Sequence, residues 1–345
     1  KNEFLGRKNM GDTVISSLSV NLQSAAYNAL GDRRGAVMVM EPSTGRILAM
    51  VSKPDFDPNY LADNWDYLVN DETNSSLLNR ATNGAYPPGS TFKIVTALDY
   101  FRKNGSLEGY SYLCEGSITM EERIARAIRE NNARLVIYSA FANSCNCAFA
   151  DMGTDLGGSS LKDTAEDLLF NSKLPLTSYK TSSFTLDKKS GIPLIMQTSI
   201  GQGNTLVSPA HMALITSAIA NGGVLMKPTL IDEVVNKTGE SVKKTEASAY
   251  KRLISTNEAN LLGKLMQGVV TNGTASALNG RGYTVAGKTG SAEFDENGSS
   301  HSWFVGYSDV DTPDIVVSVI VENGGTGSEA AVPIAGQIFD AYYYN

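Results

Sequence analysis

The chain has 345 residues, 42% hydrophobic and 19% charged, which suits a globular protein with a large buried core. A formal charge of −7 and a pI near 5.0, with no basic run to neutralise phosphates, argue against a nucleic-acid partner. No stretch approaches the roughly 18 apolar residues of a membrane-spanning helix, and Lys1-Asn2-Glu3-Phe4 does not read as a secretion signal.

In chain order, residues 21–30 read as a helix. Residues 36–41 and 46–51 run apolar around Pro42-Ser43-Thr44-Gly45, a hairpin signal. Tyr86-Pro87-Pro88-Gly89 disfavours helix, whereas Phe92, Val95, Thr96 and Leu98 carry a helical pattern toward a stop at Asn104-Gly105, so Ser90 falls in the first turn. A helical block is expected to extend from Ser90 to about Leu169. Residues 171–195, rich in Ser, Thr, Lys and Pro, read as a loop-rich excursion. Gly201-Gln202-Gly203 marks a turn; Ser208-Pro209 opens another helix, serine as cap and proline at the first position, and Asn221-Gly222-Gly223 closes it. Residues 283–291, 302–308 and 314–321 read as strands, separated by Asp295-Glu296-Asn297-Gly298 and Asp311-Thr312-Pro313, and 330–342 as a final helix.

The five strands can form one antiparallel sheet split between the two ends of the sequence. The expected fold is therefore mixed α+β, with helices flanking the sheet, an inserted helical lobe, and a cleft between the lobes as the natural site.

Ser90 and Lys93 are three residues apart, which on a helix brings the lysine amine within reach of the serine hydroxyl. At a helix start the unpaired N–H groups and the positive dipole end favour an alkoxide or tetrahedral oxyanion. Ser90 is thus a candidate nucleophile and Lys93 its base, provided burial and a neighbouring positive charge, for which Lys288 is the candidate, lower the lysine from its usual range. Two further segments make this specific: Ser144-Cys145-Asn146 after the apolar run 135–141, and Lys288-Thr289-Gly290-Ser291 after the strand-like Tyr283-Thr284-Val285-Ala286. Ser144 and Asn146 are two apart and face one cleft only from a turn between helices. On a strand Lys288 and Gly290 point one way, Thr289 and Ser291 the other.

The set Ser-x-x-Lys, Ser-x-Asn, Lys-Thr-Gly resembles that of a penicillin-binding protein transpeptidase domain, most similar to the monofunctional class B group. Gly35–Met40, Gly45–Met50, Gly201–Gly203 and Trp303–Tyr307 look like further signatures, and the likeness runs from about Asp12 to the C-terminus. The resemblance implies peptidoglycan cross-linking through an acyl-enzyme on Ser90, with catalytic roles for Lys93, Ser144 and Lys288. It implies substrate contacts by Asn146, Thr289, Gly290 and Ser291, and an oxyanion hole from the Ser90 and Ser291 N–H groups. It further implies stem peptides and β-lactams as ligands, a glycosyltransferase as partner, and an extracytoplasmic position at the membrane. Residues 1–15 are then read as a remnant of a pedestal or linker and 16–345 as the transpeptidase domain, with the membrane anchor removed.

No cofactor or metal is expected, because three cysteines and two histidines show no C-x-x-C or H-E-x-x-H spacing. Cys145 and Cys147 are too close to bridge, and a Cys114 disulfide to either is open on spacing alone. His211 and His301 are expected to be structural. A Ser-His-Asp hydrolase lacks its G-x-S-x-G elbow. A D,D-carboxypeptidase or β-lactamase shares the acylation and differs in the acceptor, but Asn146 argues against class D enzymes and no deacylating glutamate is identified. A β-lactam sensor would keep all six motif residues. Between Cys114 and Ser144 the family's second cysteine and His-Gly step are replaced by Ile118–Arg126 and Glu130–Ala133, so that part of the helical lobe is expected to diverge.

Overall fold

The structure is a computed structural model that describes residues 11–114, 117–120, 123–126, 134–293 and 300–344. The expected separator 295–298 and the whole stretch 127–133, with Glu130–Ala133, lie outside the described residues.

The strands are β1 (Thr13–Ser16), β2 (Gly35–Met40), β3 (Ile47–Lys53), β4 (Ser111–Leu113), β5 (Ser117–Met120), β6 (Arg123–Arg126), β7 (Arg134–Val136), β8 (Val224–Met226), β9 (Ile231–Val235), β10 (Ser241–Lys244), β11 (Ala249–Arg252), β12 (Ala286–Glu293), β13 (Ser300–Ser308) and β14 (Ile315–Val321). The helices are α1 (Val20–Leu30), α2 (Trp65–Asn70), α3 (Lys93–Asn104), α4 (Ile137–Ala142), α5 (Asn146–Asp167), α6 (Ile192–Ser199), α7 (Pro209–Ala220), α8 (Thr256–Asn272) and α9 (Ala331–Tyr344).

One antiparallel sheet runs in the order β12-β13-β14-β2-β3, matching the expected five strands to within a few residues. Every residue of β2 and β14 is buried, as continuous apolar runs covered on both faces must be. Helices α1 and α9 pack together on one face, and α7 lies against β2, β13 and β14 on the other. Ser208 caps α7 as expected, its hydroxyl accepting from the His211 N–H at 3.1 Å, and the helix closes at Asn221.

The expected unbroken helical block does not form. Helices α3, α4 and α5 hold, but between Gly105 and Ile137 the chain makes two short antiparallel pairs, β4 with β7 and β5 with β6. The glycine stop after Asn104, in a left-handed conformation, ends α3, and the following Ser-Tyr-Leu and Ser-Ile-Thr runs favour strands over helix. The sequence reading also passed over α8, although Ser255 and Glu258 form a complete capping box at its start. A smaller sheet, β1-β9-β10, ties residues 13–16 to the body of the domain. Among the described residues no helix is long and apolar enough to cross a membrane.

Candidate active site

The loop that leads into Ser90 is held by main-chain bonds on one side and a buried side chain on the other. Tyr86 and Val207 exchange both N–H···O bonds, at 3.0 and 2.8 Å, and the Gly89 N–H donates to Gly201 O at 2.9 Å. The indole N–H of buried Trp303 donates to Pro87 O at 3.0 Å. A methyl group on Gly201 would lie 1.8 Å from Gly89 O, so only glycine lets these backbones meet. The turn expected at Gly201-Gln202-Gly203 thus packs against the loop before Ser90. Gln202 extends it to β12: its amide nitrogen donates to Glu293 O at 3.0 Å and its oxygen accepts from Glu293 N at 3.2 Å.

Ser90 follows in a 3₁₀ turn, Gly89–Phe92, and the α-helix proper begins at Lys93. The expected first helical turn is therefore tighter than an α-turn. Lys93 is fully buried and spends its donors across the cleft: Nζ donates to Ser144 O at 2.8 Å, Ser144 Oγ at 3.2 Å and Asn146 Oδ1 at 2.7 Å. The Ser90 hydroxyl takes part in none of these bonds, which departs from the direct Ser90–Lys93 approach read from the spacing.

Ser144 and Asn146 do occupy the turn between two helices, α4 and α5. Ser144 adopts φ 57°, a left-handed conformation costly for a residue other than glycine. It aims the Ser144 carbonyl and hydroxyl at one amine, while Asn146, first residue of α5, adds its amide oxygen. Lys288 reaches the same place from β12, donating to Ser144 Oγ at 2.9 Å and to Thr289 O at 3.1 Å. The two ammonium ends lie over Phe149 and Phe141, each 5.5 Å from the ring centroid.

Burial pushes the Lys93 amine down to about 7. Lys288 is also held well below the usual lysine range, first by burial and then by repulsion from Lys93. Desolvation is the leading cause for both amines, and the repulsion between them is mutual.

β12 is the edge strand, as expected for the Lys-Thr-Gly segment. Lys288 faces the helical lobe, and so does Gly290, where an added methyl would meet Pro88 O and Thr91 at 3.1 Å. Thr289 points the other way and shares a 2.5 Å hydrogen bond with Thr274, a residue the sequence did not single out. Ser291 Oγ accepts from the Gly327 N–H at 3.3 Å. A methyl on Gly89 would come within 2.7 Å of Ser291 O, so the backbones that carry the Ser90 and Ser291 N–H groups are in contact.

Both histidines are tied into structure. His211 is fully buried in α7, within 2.7 Å of both Leu168 O and Ser182 Oγ. A carbonyl only accepts, so Nε2 carries the proton and Nδ1 accepts from Ser182. His301 Nδ1 accepts from the Asn323 N–H at 3.3 Å, and its ring meets Tyr86 edge-on. The three cysteines are buried and not disulfide-bonded.

The family model described as "Penicillin binding protein transpeptidase domain" matches residues 35–340. The chain belongs to that family. It is 31% identical over 360 residues to the peptidoglycan D,D-transpeptidase PbpA of Mycolicibacterium smegmatis, covering 96% of this chain and 72% of that protein. The ceftriaxone acyl-enzyme complex of penicillin-binding protein A from M. tuberculosis superposes with a TM-score of 0.90 at 28% identity, over 99% of this chain and 82% of the other. The D,D-transpeptidase domain of a peptidoglycan glycosyltransferase from Eggerthella lenta superposes at 0.88 and 29% identity, over 96% and 83%. The mixed α+β fold and the family read from the three motifs are thereby established.

Proposed function

We propose that this transpeptidase domain is a serine D,D-transpeptidase that cross-links peptidoglycan stem peptides and is acylated on Ser90 by β-lactams. The observation that carries the reading is the convergence of Lys93 and Lys288 on Ser144 Oγ, in a buried site reached from the same 3₁₀ turn that presents Ser90.

The Ser90 oxygen attacks the carbonyl carbon of the donor's D-Ala-D-Ala bond. Neutral Lys93 takes the hydroxyl proton as the C–O bond forms, and the Ser90 and Ser291 N–H groups hold the oxyanion, where one lost donor typically costs about 2.7–4 kcal/mol of barrier. Collapse breaks the C–N bond, and the leaving D-Ala amine receives the proton from Lys93 through the Ser144 hydroxyl. The amine of a second stem peptide then attacks the Ser90 ester and restores the free hydroxyl. Asn146 orients the substrate amide, Thr289 and Ser291 receive the terminal carboxylate, and Gly290 lets the substrate backbone approach. No step calls for a cofactor.

Two wider features rest on likeness alone. An extracytoplasmic position at the bacterial membrane follows from the site of the proposed substrate. A glycosyltransferase partner follows from similarity, at TM-score 0.84 and 27% identity over 96% of this chain and 63% of the other, to a structure entitled "Structural coordination of polymerization and crosslinking by a peptidoglycan synthase complex".

Intact mass after incubation with a β-lactam tests the core. The wild type should gain one drug mass and Ser90→Ala none; equal labelling of the two removes Ser90 as nucleophile. Supplying a donor thioester with a D-amino acid amine then separates transfer from hydrolysis. Hydrolysis alone would favour the carboxypeptidase alternative.

A further inference from the structure

Cys114 is 31 residues from Cys145 in sequence, yet its sulfur lies 3.6 Å from the Cys145 sulfur, and with Cys147 all three sulfurs fall within 4.8 Å of one another. The cluster is dry, with exposures of 1%, 5% and 0% for Cys114, Cys145 and Cys147. It sits at the N-terminus of α5, where the Cys145 sulfur caps the helix by accepting from the Ala148 N–H at 3.5 Å. A sequence scan for metal-ligand spacing misses it because the fold supplies the third sulfur from beside β4.

We propose that Cys114, Cys145 and Cys147 form a three-thiolate site for a soft, thiophilic cation, which clamps the turn carrying Ser144 and Asn146 without entering the catalytic cleft. Metal–sulfur bonds of about 2.3 Å place three sulfurs around one ion roughly 4 Å apart, so the observed spacing needs less than about 1 Å of adjustment. Thiolate ligands select soft ions over magnesium or calcium. The three sulfurs suit an ion satisfied by thiolate ligands, such as cadmium(II) or copper(I).

The electrostatics are compatible with ligation. The positive end of the α5 dipole and the nearby Lys93 favour negative charge on these sulfurs. The ion would act on the rigidity of the turn between α4 and α5, because Cys145 and Cys147 flank Asn146 while Cys114 lies beside β4.

The test uses reduced, chelator-treated protein titrated with cadmium(II), read by thiolate-to-metal charge-transfer absorption and native mass. Uptake of one ion per chain and a melting temperature raised by several degrees are expected. Cys147→Ala and Cys114→Ser should each abolish the charge-transfer band; should either fail to fold, the stoichiometry of the wild type still decides. No uptake by the reduced wild type overturns the proposal. So does uptake that survives both substitutions. Because uptake is read without a β-lactam, its failure is distinct from a failure to acylate.

Discussion

Lys93 and Lys288 donate to the same oxygen, the Ser144 hydroxyl, at 3.2 and 2.9 Å. Two fully buried ammonium groups sharing one acceptor repel, and burial with that repulsion holds both amines below the ordinary lysine range. Under the proposed mechanism the neutral form of Lys93 is the one that takes the proton of the attacking hydroxyl.

With Lys93 pushed down to about 7, the acylation rate should rise with pH through that value and level off above it, since only the neutral amine accepts a proton. Stopped-flow acylation by a chromogenic β-lactam across pH 5.5–9 on the order of ten points would trace the curve. Lys93→Ala should lower the plateau by about 10²–10⁴-fold. The stability sign is the same: below about pH 7 the folded state carries a buried ammonium at a cost, and that cost fades as pH rises toward the unfolded value of 10.5.

Ser144→Gly separates chemistry from folding. Glycine accepts φ 57° without strain, which offsets its greater unfolded-state freedom, so thermal stability should stay within about 1 kcal/mol of the parent. Acylation should fall by about 10²-fold, because the acceptor shared by both lysines is gone. A variant that melts normally yet acylates at the parent rate would remove the hydroxyl from the relay.

Gly201→Ala should do the reverse, acting through the backbone. Its methyl would fall 1.8 Å from Gly89 O at a residue with φ 82°, so the nucleophile loop must shift. Overpacking of this kind costs about 1–3 kcal/mol, read as a lower denaturation midpoint. Acylation should slow with no change in its pH midpoint, because Lys93 keeps its surroundings.

Arg80, 1% exposed, pairs with Glu322 at 2.8 Å, while Tyr86 OH donates to the same carboxylate at 2.7 Å and Arg34 reaches its other oxygen at 3.0 Å. Arg80→Met leaves Arg34 as the remaining counter-charge but removes the buried donor to Ser75 O and Asn74 O, and should cost about 1–3 kcal/mol by urea unfolding. A single substitution that unfolds at the parent midpoint would contradict the pairing.

Burial pushes His211 down to about 4 against 6.5 for an ordinary histidine. The stability of its neutral, doubly bonded form is present above pH 6.5 and is lost as pH falls toward 4, where the unfolded chain binds the proton more readily. The melting temperature should decline across that window, and His211→Gln should flatten the decline while lowering stability at neutral pH.

The sheet was legible because its strands are apolar runs bounded by turn residues, and β12 because Lys-Thr-Gly marked an edge. The turn holding Ser144 and Asn146 could be argued from their spacing of two. What escaped was set by contacts distant in sequence. Nothing near Lys93 announces that its amine will prefer the Ser144 carbonyl and the Asn146 amide to Ser90, since those acceptors lie 51 and 53 residues away. Thr274 gains its place only because α8 packs on β12, and α8 itself was missed despite a local capping signal. The strands between Gly105 and Ile137 are three or four residues long, too short for periodicity to separate them from helix.

The split sheet also sets when the enzyme can come into being. Val37 pairs with Val319, and β2 cannot be covered on its β14 side until that distant strand has been made. Closing so long a loop precedes any reward from the pairing, which slows folding. Ser90, made early, therefore waits for Lys288 and the strands beyond it, and a chain cut short before β14 carries both residues without the completed sheet that sets Lys288 beside Ser144.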